Sequence, residues 1–193
     1  MTSSGILGFT RRKERKSVLR MLSPKSGDLI LDAGCGSGFY SIPMKELGAN
    51  VLGIDVSAGM AAAARACGID AIAADLASMS LRAKFDKILC AGVLEFCEDP
   101  MGIVENLCSH LKEDGHLVLL APKRSPLGFL YKLYHLSHGL KVNLFSMEDV
   151  ENIIEEAGLK AISKEEPTWM SLVLKCAKGV VDIERMPDQG SAQ

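Results

Sequence analysis

From Asp28 onward, short apolar runs alternate with stretches of helical periodicity, and that alternation predicts a parallel sheet flanked by helices. The first run, Leu29-Ile30-Leu31, is continuous, as suits a strand buried on both faces. Runs at 51–54, 69–74, 87–91, 117–120, 159–163 and 171–177 repeat the theme. Between them the first helix carries Tyr40, Ile42 and Leu47, and its Pro43 is tolerable only in the first turn. An alanine-rich helix starts at the N-cap Ser57 and stops at Gly68. The next opens with Asp99 as cap and Pro100 at its first position, and is expected to bury Ile103, Val104, Leu107 and Leu111 before Gly115 turns the chain. Ser146-Met147-Glu148-Asp149 resembles a capping box ahead of the stripe Val150, Ile153 and Ile154, with Gly158 as the stop.

Two segments fall outside this rhythm. Residues 123–145 form an insertion whose run from Pro126 to His138 is too apolar to lie bare in water. Residues 1–26 carry Val18, Leu19 and Leu22 at helical spacing, ending at Ser23-Pro24. A polar tail over 179–193 is expected to be flexible.

Composition changes this picture in one respect. The 193 residues, 48% hydrophobic and 24% charged, are ordinary for one folded domain with a small appendage and exclude a disordered or collagen-like chain. The net charge of −2, however, is unevenly spread. Seven basic residues and one acid lie within the first 26 positions, against fifteen basic and twenty-three acidic residues in the remainder. This reads either as a solvated helix face or as a basic arm making peripheral contact with an anionic membrane or with nucleic acid. The six cysteines form no CxxC pair and do not cluster with the four histidines, so they read as buried thiols of a reducing, cytoplasmic compartment, with no metal site. Neither a signal peptide nor a membrane span is expected.

The chemistry is concentrated in Leu31-Asp32-Ala33-Gly34-Cys35-Gly36-Ser37-Gly38, between the first strand and the first helix, where open α/β sheets bind ligands. Glycines let the backbone turn tightly and let a ligand approach without a Cβ in the way. Phe39 stands where a dinucleotide fingerprint would need its third glycine, so the spacing is GxGxG rather than GxGxxG. Asp55, ending the second strand, falls beside this loop and offers two oxygens to ribose hydroxyls. Asp32 repels a phosphate and suits a ligand with an ammonium and a positive centre, as S-adenosylmethionine has.

On these residues the chain resembles the class I S-adenosylmethionine-dependent methyltransferases, in particular the small-molecule branch that includes the ubiquinone and menaquinone biosynthesis enzymes. The resemblance covers about residues 27–178. Its motifs are Asp32 to Gly38, then Ile54-Asp55-Val56-Ser57, then Ala74-Asp75-Leu76. Phe85-Asp86-Lys87-Ile88 leading to Ala91-Gly92-Val93-Leu94 follows, and Leu111 to Leu117 is the last. It implies a Rossmann-like seven-stranded sheet, mostly parallel with the last strand antiparallel and helices on both faces. It also implies a cofactor site of Asp32, Gly34, Cys35, Gly36, Gly38, Asp55, Val56, Asp75, Leu76 and Ala91, with Asp75 taking the adenine amino group. On the bare sequence Asp75 reads equally as a helix cap.

Many relatives place a histidine after the Leu-Glu that follows the fourth strand, whereas this chain reads Leu94-Glu95-Phe96. The obvious general base is therefore absent. Glu95 is read as an exposed structural acid, with the base role as its alternative, and Cys97 as a small buried hydrophobe. The insertion reads either as surface packing or as a lid over a small hydrophobic acceptor, with Tyr131, Tyr134 or His135 at the acceptor's polar end. The function expected is methyl transfer from S-adenosylmethionine to a small quinone-, polyketide-, tetrapyrrole- or lipid-like acceptor. A protein or nucleic-acid methyltransferase and a non-catalytic S-adenosylmethionine-binding protein remain as alternatives. Nucleic acid is discounted as a partner because Ala91-Gly92-Val93-Leu94 lacks the Pro-Pro-Tyr type of motif that holds a flipped base. Oligomeric state is not legible.

Overall fold

The computed structural model describes residues 6–179, with side chains from residue 10; all but the first residue of the tail expected over 179–193 lies outside the described residues. Seven strands form one sheet in the order β3-β2-β1-β4-β5-β7-β6. They are β1 (Leu29–Ala33), β2 (Asn50–Asp55), β3 (Asp70–Ala73), β4 (Phe85–Ala91), β5 (Leu111–Pro122), β6 (Leu159–Thr168) and β7 (Ser171–Lys178). All pairings among β1 to β5 are parallel, and β7 runs antiparallel to both of its neighbours. The helices are α1 (Ile6–Leu22), α2 (Ser41–Glu46), α3 (Ala58–Ala66), α4 (Pro100–Ser109), α5 (Pro126–Ser137) and α6 (Met147–Glu156).

The period of two along each strand divides the core between the sheet's faces. Leu31, Ile54, Ile88, Leu117 and Leu174 point to one face, where Ile103, Val104 and Leu107 of α4 and Val150 and Ile154 of α6 cover them. Ile30, Val51, Leu89, Val118 and Val173 point to the other, under Val18, Met21 and Leu22 of α1 and Met44 of α2. The small residues of α3 let it lie close, with Ala61 and Ala64 buried against Cys35, Ile69 and Ala71. Local caps hold as expected: the Ser57 side chain accepts from the N–H of Met60, Asp99 from Gly102, and Ser146 with Asp149 closes a full capping box.

Three expectations need correction. Leu111 is buried, but as the first residue of β5 paired with Phe85 rather than on α4, and Gly115 lies within that strand. A Cβ at Gly115 would stand 2.9 Å from the Asp86 carbonyl oxygen, so glycine admits the close strand approach at this irregularity in register. Not all thiols are buried, since Cys67 at the end of α3 is exposed while Cys35, Cys90 and Cys176 are enclosed. The insertion does lie largely bare: α5 buries only Gly128, and Phe129, Leu130, Leu133 and Leu136 remain exposed.

Candidate active site

The strand order reverses between β1 and β4, and the two groups of candidate residues meet at the C-terminal edge of the sheet around that point. The glycine loop leaves β1 by donating its Gly34 and Cys35 N–H groups to the Ile54 carbonyl of β2, at 2.7 and 2.9 Å. Gly34, Gly36 and Gly38 all have positive φ, which side chains rarely adopt. A Cβ on Gly34 would stand 2.1 Å from Val93 Cγ2, whereas above Gly36 nothing lies within 4 Å. The loop is thus packed hard at its start and open at its middle.

Asp55, at the end of β2, rims this opening. Its Oδ2 accepts from the Gly36 N–H at 2.8 Å and its Oδ1 from the Ser57 N–H at 2.9 Å, leaving lone pairs on both oxygens. Val56 follows it and is 76% exposed. The Asp55 carbonyl receives the Ala74 N–H, which brings Asp75 alongside. Asp75 Oδ1 accepts from the Ala77 N–H at 2.9 Å in a turn, not at a helix start, and the Leu76 side chain is buried in the core. Ala91 is the last residue of β4 and is half-buried.

Asp32 is placed differently from the expectation that it faces a ligand. It is 1% exposed beneath the loop, and Ser41 Oγ donates to its Oδ2 at 2.5 Å, tying β1 to the start of α2. Burial, with a smaller contribution from the Asp55 charge, pushes its pKa up to about 6, against the Ser41 hydrogen bonds. The Cys35 side chain also turns inward, where it covers Gly53, so that this residue presents backbone to the crevice.

Over the other side of the crevice, a 3-10 turn at Leu94–Phe96 continues β4. Glu95 is buried here, correcting the expectation of an exposed acid, and burial pushes its pKa up to about 7. The insertion is clipped to the turn at its far end, where Asn143 donates its N–H to the Glu95 carbonyl at 2.8 Å and its side-chain amide to the Cys97 carbonyl at 3.0 Å. Along α5, His135 stands edge-on to Phe96 and Tyr131 at ring distances of 5.7 and 4.4 Å. Of the three expected acceptor contacts, Tyr131 and His135 are therefore half-buried at the turn, while Tyr134 is 62% exposed.

The residues missed from sequence lie on α1. Arg11 and Arg15 stack over the Phe39 ring of the glycine loop, 4.9 and 5.2 Å from its centroid. Glu14 is half-buried against Ser171, and burial raises its pKa. The i, i+4 spacing of Arg11 and Arg15, one turn ahead of Val18, was the available signal. A cavity of about 630 Å³ opens between Lys123, Leu127 and Trp169, but none of its lining residues belongs to the glycine loop, so its size does not make it the reaction site. Among the described residues no three His, Cys, Asp or Glu side chains cluster to hold a metal ion.

A family model described as "Methyltransferase domain" matches residues 31–119, the stretch from β1 to β5 that holds the glycine loop, Asp55, Asp75 and Glu95. In fold and over this matched segment the chain is similar to the class I S-adenosylmethionine-dependent methyltransferases. Within that class it is similar to a ubiquinone biosynthesis O-methyltransferase of Pseudomonas aeruginosa, 28% identical over 148 residues, which are 72% of this chain and 64% of that one. The mitochondrial ubiquinone biosynthesis O-methyltransferase of Schizosaccharomyces pombe is also 28% identical, with 86% and 63% covered. The chain thus spans somewhat under two thirds of the length of these relatives. In fold it is similar to magnesium protoporphyrin IX methyltransferase of Synechocystis, solved with S-adenosylhomocysteine, at a TM-score of 0.73 and 23% identity, covering 92% of this chain and 89% of that one.

Proposed function

We propose that this protein transfers a methyl group from S-adenosylmethionine to a small, largely apolar acceptor. The observation that carries the reading is the open cradle above Gly36, rimmed by Asp55 at the switch point of the sheet. The residues present fit that cofactor. Asp55 would receive the ribose hydroxyls, Asp75 with the backbone at Leu76 the adenine edge, and the backbone of Gly34, Cys35 and Gly36 the amino-acid end. Val56 and Ala91 would flank it. Asp32 acts from beneath, holding the loop through Ser41 and lending negative potential to an ammonium above it.

When bound, the sulfonium supplies an already activated methyl group, so the protein's task is alignment and exclusion of water. The α1 helix contributes by bracing Phe39 with two guanidinium groups, and α5 by leaning Tyr131 and His135 on Phe96. The apolar character of α5 supports a hydrophobic acceptor, and the ubiquinone and protoporphyrin relatives act on molecules of that kind by name.

The exposed leucines of α5 and the basic face of α1 also support peripheral docking on an anionic membrane that holds such an acceptor. No helix among the described residues is long and apolar enough to cross one. Six free thiols suit a reducing cytoplasm. Liposomes containing anionic lipid should co-sediment the protein at low salt and release it at high salt; no co-sedimentation at low salt removes the docking. The function itself is tested by incubating the protein with methyl-labelled S-adenosylmethionine and cell extract. Label is expected in organic-soluble small molecules, and label in nucleic acid or protein alone would contradict the reading.

A further inference from the structure

The acceptor side of the crevice contains a polar atom with nothing to bind. Glu95 is 4% exposed, and its Oε2 is the one buried side-chain nitrogen or oxygen among the described residues without a hydrogen-bond partner. Buried polar groups are almost always paired, so an orphan acceptor points to a donor that arrives from outside. The carboxyl does receive its own backbone N–H, and Oε1 lies toward Gly92 at the end of β4. The turn that carries it is not loose, because Asn143 bonds the backbone on either side of Phe96.

The surroundings narrow the donor. Phe96, Tyr131 and His135 present ring edges and faces beside the turn, a setting for a flat ring system. The titratable groups near Glu95 are Glu14 of α1, Tyr131 of α5, Cys90 of β4 and Cys97 after the turn; Arg11 and His135 lie beyond, against Tyr131, and Asp99 beyond Cys97. Two carboxyl groups here disfavour an acceptor that is itself an anion.

We propose that Glu95 binds the methyl acceptor directly and takes its proton, and that this acceptor is an apolar aromatic or conjugated ring carrying a hydroxyl or ring N–H. The inference rests on the methyl-transfer reading above. In the reaction the acceptor's O–H or N–H bond breaks and its proton passes to Glu95 Oε2. The electron pair left behind forms the new bond to the methyl carbon, and the methyl–sulfur pair stays on sulfur, neutralising the sulfonium. Glu95 then releases the proton to water. Burial and the Glu14 charge bring its carboxyl close to neutrality, so that both protonation states are reached at ordinary pH.

The test uses the full chain, labelled S-adenosylmethionine, and a panel of phenols, catechols, hydroxyquinones and N–H heterocycles. Each is paired with its O- or N-methylated counterpart, and alkyl amines are included. At least one hydroxylated or N–H ring should accept label and bind the S-adenosylhomocysteine complex, while its methylated counterpart does neither. Glu95→Gln should keep the affinity for S-adenosylhomocysteine within twofold, lower kcat at least about 100-fold, and abolish the acid limb of the rate near pH 7. Glu98→Gln, on the exposed side of the turn, should behave as wild type. If Glu95→Gln fails to fold, Glu95→Asp serves instead, with at least a tenfold loss of kcat at unchanged melting temperature expected. Retention of rate and pH profile in the variant overturns the proposal, as does label passing only to alkyl amines or to no panel member. A wild-type protein that does not bind S-adenosylhomocysteine overturns the methyl-transfer reading beneath it, which separates the two failures.

Discussion

Replacing either of two neighbouring glycines by alanine separates folding from binding. At Gly34 the new Cβ stands 2.1 Å from Val93 Cγ2 on a residue with φ of 79°. The left-handed backbone costs about 1–2 kcal/mol for a side chain, and displacing Val93 adds about 1–3 kcal/mol of overpacking. At Gly36 the φ of 53° is close to the left-handed minimum and nothing lies within 4 Å of the added carbon, so only the first cost, about 1 kcal/mol, applies. A domain of this size loses roughly 2–4 °C of melting temperature per kcal/mol. Gly34→Ala should therefore melt about 5–15 °C lower, and adding Val93→Ala should return part of that loss. Gly36→Ala should melt within about 4 °C of wild type yet bind S-adenosylhomocysteine at least tenfold more weakly, because its methyl occupies the cradle. Scanning calorimetry and titration calorimetry on the same preparations read both quantities. A Gly36→Ala protein with wild-type affinity would mean the cradle is not the binding site, and a Gly34→Ala protein with wild-type melting would mean the loop is not packed against Val93.

Other perturbations follow from the same geometry. The Glu95 carboxyl, raised from 4.5 to about 7, holds its proton longer folded than unfolded, so stability is complete below about pH 4.5 and declines as pH rises to 7. Glu95→Gln should thus stabilise the protein by about 1–3 kcal/mol in urea at pH 8 and by little at pH 4.5; equal effects at both would contradict the burial argument. His116 of β5 donates Nε2–H to the Leu22 carbonyl at 3.0 Å, and burial depresses its pKa to about 4. Its contribution is present above pH 6.5 and lost as pH falls toward 4, so His116→Asn should flatten the drop in melting temperature between pH 7 and 5. Asn143→Ala removes the bond from the insertion to the Cys97 carbonyl. Trypsin should then cut at Lys132 or Lys141 faster while the melting temperature falls by under about 3 °C, consistent with one lost hydrogen bond.

The elements that sequence reading located are those whose signal is local. Ser57, Asp99 and Ser146 each satisfy an N–H within three residues, so composition alone marks three helix starts. Leu29-Ile30-Leu31 reads as a doubly covered strand because the two sheet faces receive alternate residues. What failed depends on distant partners. Leu111 belongs to β5 because Phe85 lies beside it, which no helical pattern reports. Glu95 is buried by elements distant in sequence, with α4 and β5 against its turn and Glu14 and Tyr131 near it, whereas the turn alone reads as an exposed loop. Asp32 shares the sequence signal of a ligand-facing acid, but Ser41, nine residues on, draws it beneath the loop. His135 of α5 meets Phe96 far along the chain, and the Asn143 bonds that tie the insertion to the same turn also lie outside the helix.

The proposed methyl transfer requires the cradle between Gly34 and Asp55 to hold S-adenosylmethionine. Titration calorimetry of the full chain with S-adenosylhomocysteine and, separately, with NAD reads that occupancy. The adenosyl compound should bind with one site per chain and NAD should not. Asp55→Ala, which removes the acceptors expected to receive the ribose hydroxyls, should weaken that binding by about 10- to 100-fold, in line with hydrogen bonds to a charged group. Binding of NAD without binding of S-adenosylhomocysteine, or an Asp55→Ala protein of undiminished affinity, would contradict the account.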